Sequence, residues 1–297
     1  MRKRNWFQLM IWLLGIGLLA VLMGISDQPG PPKPWYYQDK AMVLLYHDVR
    51  KQVPPGEAGM STVSSGQLQE HIQMLLDKGF HIIKMEEFVS FMLHGKRIPP
   101  NAVVLTFDDG YESFYHEAAP VLQRFGVTAS NFIVGASSDL YHPEALPHMS
   151  WDQMRSLKAR GMGFYSHTYH LHRMGSSGAD GSLKPALANA LRLGQTGTLE
   201  SEEQYRKRIV SDLTFMEKRL RQELGGEHQP SLLAFPYGAY SDAVLEAGGQ
   251  AGVELFFTIE EGLNESGSRI VKRINAGEPY ITAEALWDHL QTFFTTN

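Results

Sequence analysis

AVVLTFDDGYESF, residues 102–114, runs from an apolar stretch straight into two adjacent acids and a glycine. Ala102 to Thr106, with Val103, Val104 and Leu105 at the centre, reads as a buried strand. A short unbroken apolar run rich in β-branched residues suits a strand covered on both faces. Phe107 carries it into Asp108, Asp109 and Gly110. Neighbouring carboxylates repel, and each resists leaving water, so this pair needs a cation, a proton or open solvent beside it. Taken alone, Asp-Asp-Gly is more often a polar turn with one aspartate capping the next helix.

Outward from this strand the chain alternates short apolar runs with amphipathic helices. AMVLLYH (41–47), HII (81–83), VTASNFIV (127–134), MGFYSHT (162–168), SLLAFPYG (231–238), ELFFTI (254–259) and RIVKRI (269–274) read as strands or strand ends. Residues 65–80 read as a helix with Leu68, Ile72, Leu75 and Leu76 on one side and Gly79 as its stop. Residues 85–96, 113–126 and 151–161 read as further helices, the second broken or kinked at Pro120. Such alternation predicts an α/β fold with a mostly parallel sheet, open or closed into a barrel. Met174 to Thr198, rich in Gly, Ser and Ala, interrupts the rhythm as a long excursion. A scaffold helix follows, started by a Ser201/Gln204 capping box and striped by Tyr205, Ile209, Leu213, Met216 and Leu220.

The 297 residues include no cysteine, which excludes disulfides, zinc–thiolate sites and cysteine nucleophiles. Any metal must sit on His, Asp or Glu. The net charge of -5 shows no basic nucleic-acid surface. Arg2, Lys3 and Arg4 precede an apolar run from Phe7 to Ile25 broken only by Gln8. As a helix that run spans roughly 28 Å, close to a bilayer core. Positive charge on its N-terminal side places the rest of the chain outside the cell. No A-x-A site precedes Ser26, so residues 1–25 are read as a signal-anchor rather than a cleaved signal peptide. A Pro-rich linker, 26–40, leads to a catalytic-looking domain, 41–297.

Four clusters fall at or near predicted strand ends, where α/β folds bind ligands. They are LLYHDV (44–49) with His47, the Asp108-Asp109-Gly110 turn, YSHTYHLHRM (165–174) with His167, His170 and His172, and AFPYGAYSD (234–242). Each alone has a plain structural reading as a turn or a polar loop. Together they form a donor set: one aspartate and two histidines leave an open position on a divalent metal, which lowers the pKa of a bound water to about 7. A second carboxylate beside that ligand can take the water's proton. Asp109 is then the ligand and Asp108 the base. The Pro-Tyr-Gly turn offers a rigid backbone N–H to a reacting oxygen.

TFDDGY, SHTYHLH and FPYGAY, in that order, resemble the motifs of the polysaccharide deacetylases, carbohydrate esterase family 4, over residues 41–274. The resemblance implies a distorted (β/α) barrel and metal-dependent removal of N-acetyl groups from GlcNAc-containing polymers. The usual histidine pair is four apart, but the residue four after His167 is Leu171. His172, five after, is similar to the spacing of the poly-β-1,6-N-acetylglucosamine deacetylases of biofilm adhesin synthesis. The resemblance therefore assigns Asp109, His167 and His172 to the metal, with His170 as the rival ligand. Zn²⁺ is the implied ion, with Co²⁺ or Ni²⁺ as alternatives. LYHDV stands before the TFDDG strand, as in the circularly permuted adhesin branch, which makes His47 the general acid. The backbone N–H of Tyr237 becomes the oxyanion donor.

Tyr111, Pro236 and Tyr240 are the candidate substrate contacts, with Trp151 and Tyr169 as further aromatic candidates. The implied partners are a GlcNAc-containing polysaccharide, the membrane through the N-terminal helix, and exopolysaccharide synthesis machinery. Peptidoglycan or chitooligosaccharides are alternative substrates, and a catalytically weak polysaccharide-binding scaffold is the alternative class. One element is missing. The family arginine that pairs with the catalytic aspartate is absent from PSLLAFPYG (230–238), and Arg273 in VKRIN is the candidate to replace it.

Overall fold

Every strand of the main sheet runs the same way. The structure, a computed structural model, describes residues 34–53, 61–140, 143–178, 181–194, 196–226 and 229–294. The predicted signal-anchor and most of the linker lie outside the described residues, among which no helix is long and apolar enough to cross a membrane. Trp35–Asn297 forms one unit, and Tyr37 belongs to its core.

In chain order the sheet strands are β1 (Ala41–Tyr46), β2 (His81–Ile82), β3 (Ala102–Phe107), β4 (Ser130–Ile133), β5 (Gly163–Ser166), β6 (Leu232–Ala234), β7 (Leu255–Phe257), β8 (Ile270–Val271) and β9 (Ile274–Asn275). Their spatial order is β8-β7-β6-β5-β4-β3-β1-β9, with β2 beside the first residues of β3, and every pairing is parallel. β1 and β3 pair in full register from Ala41↔Ala102 to Tyr46↔Phe107, and all twelve residues of the two strands are buried. This register places His47 beside Asp108, one residue past each strand.

RIVKRI, read above as one strand, is two. β8 and β9 occupy opposite edges of the sheet, yet only Lys272 and Arg273 separate them. Three Cα steps cover at most about 11 Å. The sheet must therefore curl until its edges face each other across Arg273, which gives the distorted barrel a seam bridged by chain rather than by ladder hydrogen bonds.

The helices are α1 (Ser65–Lys78), α2 (Met85–His94), α3 (Ala119–Phe125), α4 (Gly135–Asp139), α5 (Trp151–Lys158), α6 (Glu202–Leu224), α7 (Asp242–Gln250) and α8 (Ala283–Gln291). The kink expected at Pro120 is a π turn, Phe114–Ala118, in which the Ala119 N–H reaches back to the Phe114 carbonyl. Pro120 has no N–H to continue a regular ladder, and the wider turn absorbs that loss. At α6 the capping box is reciprocal: Ser201 N–H donates to Gln204 Oε1 at 2.8 Å, and Gln204 N–H to Ser201 Oγ at 3.2 Å. The predicted stripe is the buried face of this helix. The excursion opens as a small antiparallel pair, Met174–Ser176 with Leu183–Pro185, then lays Ala186, Leu187 and Leu191 against Tyr205, Ile209 and Leu213.

Candidate metal centre

Past Phe107 the chain turns through two left-handed residues, Asp109 at φ 71° and Gly110 at φ 78°. A non-glycine residue held there costs of order 1 kcal/mol or more. Gly110 has no such freedom to lose a hydrogen: an added Cβ would lie 2.9 Å from Ile133 Cγ2 on β4. Gly110→Ala is therefore expected to cost about 1–3 kcal/mol of unfolding free energy. Urea unfolding measures it, and a change below about 0.5 kcal/mol contradicts the turn's role.

The second donor comes from the end of β5. His167 N–H donates to Ile133 O at 2.9 Å, and its Nδ1 lies 2.8 Å from Ala234 O on β6. A carbonyl only accepts, so Nδ1 carries the proton and Nε2 keeps its lone pair. Thr168, at φ 72°, turns the chain again, and its Oγ1 accepts the Leu171 N–H at 3.1 Å. His172 follows and closes the group. Asp109 Oδ1 stands 3.5 Å from His167 Nε2 and 3.2 Å from His172 Nε2. His170 points its backbone elsewhere, is exposed, and lies outside the cluster.

These three donors fit a divalent cation. Their ligand atoms all lie within 4.8 Å of one another. Two donors on a tetrahedral ion with bonds of about 2.0 Å sit about 3.3 Å apart, which matches the two measured separations. Among the described residues Asp109 Oδ1 is buried without a hydrogen-bond partner, which is costly unless a cation takes it. Burial pushes His167 down to about 4, against the opposing pull of Asp108, so its imidazole is neutral at pH 7. The contacts of His167 with the two aspartates are thus not ion pairs; a neutral imidazole is the form that ligates.

Asp108 has a different fate. Its two oxygens accept from Arg273 at 2.7 and 2.8 Å, a bidentate pair in which Arg273 is only 1% exposed. Arg273 Nε donates to Thr258 O at 2.8 Å, which fixes the plane of the fork. Burial alone would raise the Asp108 carboxyl; the Arg273 guanidinium beside it outweighs that and holds it at about 2. The replacement arginine is therefore supplied from the barrel seam. Asp108 Oδ2 also lies 3.9 Å from His167 Nε2, which puts the second carboxylate against the donor cluster.

A cleft of about 540 Å³ opens over both carboxylates, lined also by His47, Tyr111, Leu146, His172, Tyr237 and Ile259. Among the described residues His47 Nδ1 is buried with no hydrogen-bond partner. Tyr237, at φ 59° and 48% exposed, lays its ring 4.6 Å from that of His172. The bonds that close its turn come from the Gly238 and Ala239 N–H groups, not from its own. Burial and the nearby Asp109 charge both push the Tyr111 phenol upward, so it stays a hydrogen-bond donor.

Other sequence candidates lie elsewhere. Pro236 is buried beneath the turn, and Tyr240 stacks on Phe235 at 4.7 Å and bonds Glu260. Trp151 is buried, bonds Asp139 and carries the Arg219 guanidinium on its ring. Tyr169 packs edge-on against Phe215. Leu146 and Ile259, exposed apolar side chains on the cleft wall, escaped the sequence reading because single apolar residues in loops carry no pattern.

The family profile described as polysaccharide deacetylase matches residues 95–256. A poly-β-1,6-N-acetyl-D-glucosamine N-deacetylase of Escherichia coli (strain K12) is 29% identical over 250 residues, which is 80% of this chain and 36% of that protein. The chain thus spans little more than a third of that relative's length. A protein of the same name from Staphylococcus aureus (strain MSSA476) is 25% identical over 276 residues, 88% of each. The structure of a de-N-acetylase from Aggregatibacter actinomycetemcomitans superposes with a TM-score of 0.73 at 26% identity, covering 86% of this chain and 99% of that one.

Proposed function

The chain belongs to the polysaccharide deacetylase family, and on that premise we propose that it removes N-acetyl groups from GlcNAc residues of an extracellular poly-β-1,6-linked polymer, with the help of a divalent ion. The observation that carries the reading is the convergence of Asp109, His167 and His172 beside a separate carboxylate, Asp108, that an arginine neutralises. The names of the Escherichia coli and Staphylococcus aureus relatives support the choice of polymer. The five-residue histidine spacing supports it as well.

Asp109, His167 and His172 would hold a divalent ion such as Zn²⁺, which would supply Lewis acidity at the acetamide carbonyl and toward the attacking water. Asp108 takes a proton from the attacking water. The Tyr237 N–H donates to the oxygen on which negative charge develops. His47 gives a proton to the leaving sugar amine, so that acetate and a glucosamine residue depart. Tyr111, Leu146, Tyr237 and Ile259 form the walls against which the sugar lies. The new amines make the polymer cationic, which attaches it to an anionic cell surface.

In this reading residues 1–25 tether the domain to the outer face of the membrane, where synthesis machinery delivers the polymer. The absent family arginine was the one feature favouring a non-catalytic scaffold, and the Arg273–Asp108 pair removes that argument. The test is acetate release by the purified full-length chain on acetylated β-1,6-GlcNAc oligomers, chitooligomers and peptidoglycan. Each is run with Zn²⁺, Co²⁺ or Ni²⁺, and with chelator. Release is expected to be fastest on the β-1,6 oligomers and to fall at least a hundredfold with chelator. Faster release on chitooligomers or peptidoglycan reassigns the substrate. No release with metal demonstrably bound rejects the enzyme.

A further inference from the structure

The two histidine donors are held by different means. His167 has its outer nitrogen fixed by the Ala234 carbonyl. Among the described residues no hydrogen bond fixes the second ring nitrogen of His172, whose side chain is 22% exposed. Its place depends on the backbone that delivers it, the four residues from Thr168 to Leu171.

That short segment is fastened on every side. The Thr168 and Tyr169 carbonyls accept from Gly135 N–H at 3.1 Å and Ala136 N–H at 2.8 Å at the start of α4. Thr168 N–H donates to Ser166 Oγ at 3.1 Å, and Leu171 N–H to Thr168 Oγ1 at 3.1 Å. The two N–H groups between them find no acceptor in the loop itself. They donate to one side chain from another element: Tyr169 N–H to Asp212 Oδ1 and His170 N–H to Asp212 Oδ2, both at 2.8 Å. Asp212 lies in the middle of α6, next to Leu213, which packs with Leu171 in one apolar cluster. Helix and loop are thus joined by a polar clamp and an apolar contact side by side.

We infer that Asp212 is a positioning residue for the metal centre, holding the loop so that His172 Nε2 meets Asp109 and His167. The inference rests on the proposed metal site. A charged acceptor spanning two successive N–H groups fixes both the position and the tilt of the peptide that precedes His172. It also satisfies two donors that the five-residue spacing leaves over. Partners that orient ligands from outside the donor set change metal affinity by about 10–100-fold when removed.

The experiment compares the full-length parent with Asp212→Ala, Asp212→Asn and Leu220→Ala. The last truncates a core residue of the same helix two turns further on. Three quantities are read: the Zn²⁺ Kd by competition with a chromophoric chelator, the visible bands of the Co²⁺ form, and amide hydrogen exchange at Tyr169 and His170 without metal. Asp212→Ala is expected to weaken Zn²⁺ binding at least about tenfold, to shift the Co²⁺ bands and to speed exchange at both amides. Asp212→Asn, which keeps one acceptor, falls between. Leu220→Ala lowers thermal stability and leaves Kd and bands unchanged. A Kd within twofold of the parent and unmoved bands in both Asp212 variants overturn the inference. So does a Leu220→Ala effect of the same kind, since that reports only lost stability. If Asp212→Ala does not fold, Asp212→Asn decides. A parent that binds neither ion overturns the proposed metal site itself, which separates the two failures.

Discussion

Asp108→Asn leaves Zn²⁺ affinity within about threefold of the parent and lowers acetate release by roughly 10³-fold or more. The amide has the carboxylate's shape but cannot accept the proton of the attacking water. Asp109, His167 and His172 are untouched, so binding and turnover separate. The substitution also exposes the cost of the arrangement. Arg273 is buried, and without an anion its charge is uncompensated. Removing one partner of a buried pair typically costs about 3–5 kcal/mol. The variant is therefore expected to be inactive and less stable at once. Full turnover in Asp108→Asn rejects Asp108 as the base; lost metal binding places Asp108 among the ligands instead.

The second large effect is Arg273→Met, expected to lower unfolding free energy at pH 7 by about 3–5 kcal/mol. Here the orphan is the Asp108 carboxylate, buried at the floor of the cleft beside the donor cluster. Burial then loses its main opponent, and the Asp108 pKa rises. In the parent the pair holds Asp108 at about 2, below its usual 3.8. The pair's stabilisation is complete above pH 3.8 and disappears as pH falls through 2. Its linkage part is worth about 2 kcal/mol. The gap between parent and Arg273→Met must therefore be widest near neutrality and close toward pH 2. Urea unfolding of the two metal-free proteins along a pH series reads this directly. A gap that does not narrow with acid shows that the loss comes from packing and not from the charge pair.

Much of this site could be read from residues whose chemistry conflicts with their place. Two acids at the end of an apolar strand, and three histidines at the end of another, are locally expensive, and the structure places both at the same end of one parallel sheet. The five-residue spacing, read through the resemblance, already favoured His172 over His170, and the backbone turn at Thr168 is what brings His172 to Asp109. Arg273 could be named as the candidate partner of Asp108, but the route by which it reaches that carboxylate could not be read. RIVKRI sets three basic residues among three apolar ones and looks like a single strand, and nothing local reveals that the sheet's two edges meet there. Asp212 looked like an ordinary polar position on an amphipathic helix, since its partners are main-chain amides 43 and 42 residues earlier. Tyr240, Trp151 and Tyr169 stand near the motifs in sequence, yet packing and hydrogen bonds claim their rings.

The seam has a consequence in the order of synthesis. Asp108, Asp109, His167 and His172 all leave the ribosome well before Arg273, which lies between the last two sheet strands. A growing chain can therefore gather its cation donors while Asp108 still lacks a counter-charge. Until residues 269–275 emerge, the carboxylate keeps that end of the barrel hydrated, because burying it alone is unfavourable. One short segment thus completes the sheet on both edges and permits the drying of the reaction chamber in a single late event. A chain that terminates before it is left with its donors in hand and its acid–base chemistry unformed.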